Sequence, residues 1–295
     1  MASPAPIRAC PVCDGDRLRT RFQRWDSAVD ECHDCGLRFL NPPPDDDALA
    51  AIYNDTYFLG GGEPEAQQRV TDLKRATARS YLAALGGLNG AAGKRLLEVG
   101  CGRGEFLLEA RARGYDAFGV DYSKAAATVA NQRLGDRRVS VGELQSAEYP
   151  PASFDALVMI DLIEHVRRPR DLVRRAAELL KPGGVLLLVT PSLDSWSSRC
   201  LGRWWMEYKL EHLYYFNERS LRRLLEPAGF ADLRFQPNAK VLSLDYICEH
   251  FRRFRVPLLS LAVRGVRTLT PGPLAHRPFR IVASGVTVIA RKAHD

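Results

Sequence analysis

Short, almost unbroken apolar segments alternate with segments of helix-forming residues through the middle of the chain. Residues 95–99, 116–120, 154–160 and 184–190 are apolar runs of strand length, with a shorter one near 139–141. Continuous apolarity of this kind is expected of parallel strands covered on both faces. Between them, residues 104–112, 123–133 and 170–180 read as helices. A helix over 220–228, a strand over 231–235 and a late strand over 285–290 bring the count to seven strands. Strand and helix in strict alternation predict a doubly wound α/β sheet. Upstream, 64–85 has the length and composition of one long helix, stopped by Gly86-Gly87, placed to cover the sheet's ligand edge.

The first strand carries the most specific signal. It ends in Glu98 and passes into Gly100, Cys101, Gly102, Arg103 and Gly104 before the helix begins. A strand, a glycine turn and a helix form the ligand-binding corner of such sheets, with glycine allowing the backbone to lie against the ligand. The spacing is not the G-x-G-x-x-G of a dinucleotide site, and a carboxylate at Glu98 would repel a pyrophosphate. It suits an ammonium group instead. S-adenosylmethionine has an ammonium, a sulfonium and no phosphate. Asp121, ending the next strand, is placed to accept hydrogen bonds from ribose hydroxyls.

Glu98-x-Gly100-x-Gly102-x-Gly104 followed by Gly119-Val120-Asp121 resembles motif I and its acidic partner in class I S-adenosylmethionine-dependent methyltransferases. The likeness continues through Gly142-Glu143, Phe154-Asp155-Ala156-Leu157-Val158 and Leu180-Lys181-Pro182-Gly183-Gly184, over residues 70–240. It implies a seven-stranded Rossmann-like sheet whose last strand is antiparallel. It also implies that Gly100, Cys101, Gly102 and Gly104 approach the cofactor, that Glu98 faces its ammonium and Asp121 its ribose. By the same likeness Tyr122 lies against adenine, Glu143 stands where the family has an aspartate for the adenine amino group, and Asp161 sits near the methyl-transfer centre.

Cys10-x2-Cys13 and Cys32-x2-Cys35, 18 residues apart, match a four-thiolate Zn2+ site made of two knuckles joined by a short hairpin. Four protein thiolates leave no open position, so the zinc is structural. Residues 39–44 then form a stiff connector.

Two segments are candidates for the methyl acceptor. Asp161, Glu164 and His165 share a face if their turn is helical, and the segment resembles the acid-x-x-Glu-His stretch of ubiquinone-pathway O-methyltransferases. A divalent metal such as Mg2+ at these three is the less favoured reading. Residues 191–217 crowd Trp196, Trp204, Trp205, Tyr208, Glu211, His212 and three further aromatics into the insertion that forms the acceptor wall in this fold. His212 is the first candidate for general base, with Tyr208, Glu211 and His165 as alternatives and a structural histidine as the competing reading. Residues 53–62, aromatic and then glycine-rich, are either a lid or a plain connector.

Composition changes the picture in one place. The chain of 295 residues is 46% hydrophobic and 26% charged, as in ordinary globular proteins. It has no apolar stretch long enough to span a membrane and no signal-like N-terminus, which predicts a cytoplasmic protein. The net charge of +7 lies wholly in residues 240–295, with ten Lys/Arg against three Asp/Glu; residues 1–239 hold 32 of each sign. A nucleic-acid-binding face is therefore not implied. The arginine-rich apolar stretch 241–268 is an ordinary helical pair broken at Pro257, or else a basic face for a membrane surface or an anionic or lipid-linked substrate, in which case the protein is membrane-peripheral.

These readings divide the chain into a zinc ribbon (1–44), a linker and cap helix (45–93), a cofactor-binding core (94–240) with an acceptor lid (191–217), and a basic helical insertion with the final strand (241–295). The expected activity is methyl transfer from S-adenosylmethionine to an oxygen of a small, lipid- or nucleotide-linked metabolite, of sugar or natural-product type. A deoxysugar C-methyltransferase is the first alternative, and an RNA methyltransferase using the zinc ribbon the second.

Overall fold

The computed structural model describes residues 5–53, 64–86, 91–253 and 259–294. The chain opens with an antiparallel meander of β1 (Leu18–Arg24), β2 (Ser27–Cys32) and β3 (Arg38–Asn41). Helices α1 (Asp46–Ile52) and α2 (Pro64–Leu85) follow. The alternating region gives β4 (Arg95–Val99), α3 (Glu105–Ala112), β5 (Asp116–Asp121), α4 (Lys124–Leu134), β6 (Val139–Val141), β7 (Phe154–Ile160), α5 (Pro169–Leu179) and β8 (Leu180–Pro191). An insertion then carries α6 (Trp196–Leu201) and the two-residue β9 (Tyr214–Tyr215), before α7 (Glu218–Leu225) and β10 (Phe230–Leu242). Helices α8 (Leu244–Arg253), α9 (Leu259–Leu269) and α10 (Gly272–Ala275) precede β11 (Phe279–Lys292).

Seven strands form one sheet in the order β10-β11-β8-β7-β4-β5-β6. The neighbours from β8 to β6 are parallel, and β11 is antiparallel to both β8 and β10. Successive side chains of a strand point to opposite faces, so each apolar run fills two cores. Leu97, Leu157, Met159, Leu186 and Leu188 pack with α5 and α7 on one face. Leu96, Ala156, Val158, Leu187 and Val189 pack with α2, α3 and α4 on the other. That is why these runs carry no alternation of polar residues.

Three strands are longer than the apolar pattern predicts: β8 begins at Leu180, β10 runs 13 residues and β11 runs 14. Main-chain pairing carries β10 through Arg234, Gln236, Asn238 and Lys240, with register shifts between Ala231 and Arg234 and between Pro237 and Ala239. The irregularity beside Pro237 admits a residue without an N–H donor. The helix expected over 220–228 stops at Leu225 and tightens into a 3-10 turn containing Pro227. The expected break at Pro257 and most of the expected lid, 54–62, lie outside the described residues.

The N-terminal meander is joined to the core. β3 pairs antiparallel with β9, so the second sheet has the order β1-β2-β3-β9 and its fourth strand comes from the insertion between β8 and α7. Val29 and Leu40 pack against Trp205, Tyr208 and Tyr215 in a small core of their own. Asn217 caps α7 by accepting from the Ser220 N–H at 2.7 Å, and its amide donates to the Gly36 carbonyl at 3.0 Å. Gly36 has φ +75, and a Cβ there would collide with the Asn217 amide. One side chain thus starts a helix and closes the second cysteine knuckle. Asn217→Ala is expected to cost about 1–2 kcal/mol, from a lost cap and a lost hydrogen bond, read as a lower melting temperature.

Candidate active site

The cofactor corner lies at the C-terminal edge of β4, at the switch point where the chain leaves β4 towards β5 on one side and β7 on the other. Gly100, Gly102 and Gly104 all have positive φ, at +73, +52 and +78. A Cβ on Gly100 would press Leu162 at 3.0 Å, and one on Gly104 would press Ala130 at 3.2 Å, but one on Gly102 would meet nothing within 4 Å. Gly102 faces open space, where a ligand can approach the bare backbone. Asp121 accepts from the Gly102 N–H at 2.7 Å and from the Ser123 N–H at 2.8 Å, so it holds the turn in shape from beneath. Cys101 contributes main chain only, since its buried thiol packs against Gly119.

Glu98 is 4% exposed, and its Oε2 has no hydrogen-bond partner among the described residues. Burial pushes its carboxyl well above the usual range, and Glu105 and Asp121 add to the rise. Glu105 is itself paired with Arg133 at 3.1 Å, whereas Glu98 makes no salt bridge among the described residues and only the charge of Lys74 works against the rise. An orphaned buried carboxylate beside an open glycine backbone fits a cationic ligand. These residues therefore fit S-adenosylmethionine: Glu98 towards the ammonium, the glycine main chain along the chain of the ligand, Asp121 at the turn. Tyr122 stands next to it and is largely exposed, and Glu143 is exposed at the start of the 3-10 turn after β6.

Next to the corner, the end of β7 meets the insertion. Asp161 has φ +49 and binds the Lys240 ammonium at 2.6 Å; Lys240 keeps its proton despite burial because of that carboxylate. Glu164 points the other way, into the protein, where its Oε2 accepts from Thr190 at 2.9 Å. The turn is not helical, so Asp161 does not share a face with Glu164 and His165. Instead Glu164, His165 and His212 come together, with donor atoms within 4.8 Å of one another.

The two imidazoles meet edge to face at 4.7 Å between centroids. His165 Nδ1 lies 3.0 Å from the Glu211 carbonyl, to which it donates, and 2.8 Å from the Tyr53 hydroxyl. His212 Nδ1 has no partner among the described residues. Burial holds both rings neutral, pulling His165 down to about 4 and His212 well below its ordinary value. Burial likewise pushes Glu164 up to about 8, with Asp161 adding to it. Glu207 binds Lys209 at 3.0 Å and accepts from the Ser284 hydroxyl; burial opposes its ionisation, but the Lys209 ammonium holds it well below the usual carboxylate range.

The donor set does not fit Mg2+. That ion takes an octahedron of oxygens, whereas two imidazoles and one buried carboxyl converge here and Asp161 is tied to Lys240. Tyr208 is not brought to the histidines; its ring faces Phe22 and Trp205, and its hydroxyl accepts from Arg38 at 2.9 Å. Glu211 meets the site through its carbonyl. Lys240, Glu207, Lys209 and Tyr53 are additions that the sequence did not single out as site residues. Only the fold brings them to Asp161 and His165, from segments far apart in the chain.

The four cysteines form the second cluster. Their sulfurs lie within 4.8 Å of one another, with Cys10 to Cys35 at 3.5 Å and Cys13 to Cys32 at 3.6 Å. A tetrahedron with Zn–S bonds of about 2.3 Å has edges of roughly 3.8 Å. The hydrogen bond from Cys35 holds Cys10 down to about 5 and drives Cys35 up, while burial raises Cys13 to about 11. Four adjacent sulfurs cannot all ionise without a cation between them, so the set fits zinc.

A methyltransferase-domain family model matches residues 69–234, more than half of the chain. The chain belongs to this family. The matched span begins in α2, holds the glycine corner and ends in β10. Ubiquinone biosynthesis O-methyltransferase of Dechloromonas aromatica is 39% identical over 106 residues, 34% of this chain and 45% of that protein. Its counterpart in Idiomarina loihiensis is 30% identical over 161 residues, 49% of this chain and 65% of its own length. The chain thus spans about half the length of these relatives. YcgJ of Bacillus subtilis shares the fold with a TM-score of 0.53 at 18% identity, over 74% of this chain and 99% of that one. The methyltransferase domain accordingly has the doubly wound seven-stranded sheet, with the cysteine-bearing meander paired to the insertion between β8 and α7.

Proposed function

We propose that the chain is an S-adenosylmethionine-dependent methyltransferase that methylates an oxygen of a small or lipid- or nucleotide-linked metabolite. The observation that carries this is the Glu98 carboxylate, buried, unpaired and flanked by two further acids beside the open glycine backbone. The names of the related ubiquinone-pathway enzymes support transfer to oxygen. The bound cofactor supplies a methyl group on a positive sulfur, already electrophilic, so the protein has three tasks: to align the acceptor, exclude water and take a proton. His212 has the properties of the base, a neutral imidazole with a free Nδ1. His165 packs edge to face against its ring, and the Asp161–Lys240 and Glu207–Lys209 pairs present charge for orienting a polar acceptor. Trp205, Tyr208 and Tyr215 of the insertion that carries His212 pack against the ribbon. That engagement supports a role for the ribbon in holding the acceptor segment rather than in gripping RNA.

Calorimetry with S-adenosylhomocysteine tests the reading. Binding is expected, and Glu98→Gln is expected to weaken it by about 2 kcal/mol or more, some 30-fold in Kd. No binding, or a preference for a dinucleotide, would remove the proposal.

A further inference from the structure

Helix α9 is built inside out. Its outward face carries Leu261, Ala262, Gly265, Val266 and Leu269, and Leu261 and Leu269 are 71% and 86% exposed. Its inward face carries Arg267, which binds Asp245 of α8. Among the described residues nothing covers the apolar face, and Leu274 and Phe279, further along the chain, are exposed as well. Ordinary surface helices bury the apolar stripe and expose the charged one, so this face suits an apolar partner.

Charge decides which. Residues 250–294 contain nine Lys/Arg and no acid. The two acids of α8 are already engaged, Asp245 by Arg267 and His276, and Glu249 by Arg252 at 2.8 Å. Arg264, Arg277 and Arg280 are exposed and make no ion pair among the described residues. A second copy placed symmetrically would set this positive rim against itself. An anionic lipid surface matches both features, taking the apolar side chains into its acyl boundary and the arginines at its headgroups. No described helix is long and apolar enough to cross a membrane.

The position of the face adds a reason. β10 runs parallel to β8, so its last residue Leu242 lies at the same sheet edge as the glycine corner, and α8 to α10 are inserted directly after it. We infer that α9, α10 and the start of β11 form a docking surface for an anionic phospholipid bilayer, bringing the cofactor edge of the sheet to the membrane. The inference stands on the surface alone and is independent of methyl transfer.

Co-sedimentation of the full chain with vesicles tests it. The protein is expected to pellet with phosphatidylcholine–phosphatidylglycerol vesicles at low salt and not with phosphatidylcholine alone. Leu261→Glu with Leu269→Glu should lower the bound fraction at least tenfold, and Arg264→Ala, Arg277→Ala and Arg280→Ala together should flatten the salt dependence. Calorimetric binding of S-adenosylhomocysteine, unchanged in both variants, shows that the fold is kept. Absence of pelleting with anionic vesicles, or full pelleting of the double glutamate variant, overturns the inference. So does a concentration-dependent dimer abolished by the same two glutamates, which would assign the face to a second copy.

Discussion

Cys35→Ser, or extraction of zinc by a chelator, is expected to abolish acceptor methylation while lowering cofactor affinity far less. Structural zinc sites contribute on the order of 10 kcal/mol to the folding of small modules, which are unfolded without the metal. Here the module does not end at its own boundary. β3 supplies the partner of β9 at Phe39↔Tyr214 and Arg38↔Tyr215, the Leu40 N–H donates to the Leu213 carbonyl at 3.0 Å, and Arg38 holds the Tyr208 hydroxyl. Leu213 and Tyr214 also donate to the Glu164 carbonyl, at 2.8 and 3.3 Å. Melting the ribbon therefore frees the segment that carries His212. The glycine corner draws its backbone from β4, β5 and α3, with no ribbon residue in it. Ribbon residues Val12, Leu37 and Phe39 do share a hydrophobic core with Val99 and Val120, and neighbours in one core couple, so some cofactor affinity is lost, though less than turnover. The decisive measurement is a pair: calorimetry with S-adenosylhomocysteine, and turnover with a competent acceptor, before and after zinc release. Equal loss of both would show that the ribbon holds up the whole sheet; loss of neither would detach it from the acceptor wall.

That coupling was not legible in the sequence. The cysteine spacing reports local chemistry, and the strand-like runs report burial on two faces, so the sheet and the four thiols could be read directly. Tyr214 and Tyr215 read instead as part of an aromatic lid, because a two-residue strand leaves no periodicity and its partner lies about 175 residues earlier. The same limit applies to Lys240. It sits in the half of β10 that main-chain pairing, not apolar content, makes a strand, and only the fold brings it to Asp161. Glu98, Gly102 and Asp121 are close in sequence or fixed by one βαβ unit, so their juxtaposition followed from the motif. Tyr208 fails for the opposite reason: its residue type suited a base, but its hydroxyl belongs to Arg38 and its ring to the ribbon.

His212→Ala is expected to lower kcat by about 10²- to 10⁴-fold, the usual worth of a positioned base, with binding of S-adenosylhomocysteine unchanged. A purely structural histidine would instead lower the melting temperature and leave turnover per folded molecule close to normal. The pH profile separates the roles further. Because burial keeps His212 neutral well below its ordinary value, the acid limb of kcat/KM should lie on the acid side of the 6.5 of a free imidazole. Its neighbour affects stability in the same direction. The unfolded chain protonates His165 at 6.5, whereas the folded protein resists until about 4. The unfolded state therefore binds more protons in that window, and His165's contribution, complete above pH 6.5, is lost as pH falls through it, by up to about 3 kcal/mol. Glu164 acts with the opposite sign. Its folded value of about 8 lies above its ordinary 4.5, so its contribution is complete below pH 4.5 and declines as pH rises towards 8. His165→Asn should flatten the acid side of the stability curve and Glu164→Gln the alkaline side, each by thermal melts across pH 4–8. If kcat survives His212→Ala while both stability slopes change as stated, the buried histidines shape the acceptor wall and the base lies elsewhere.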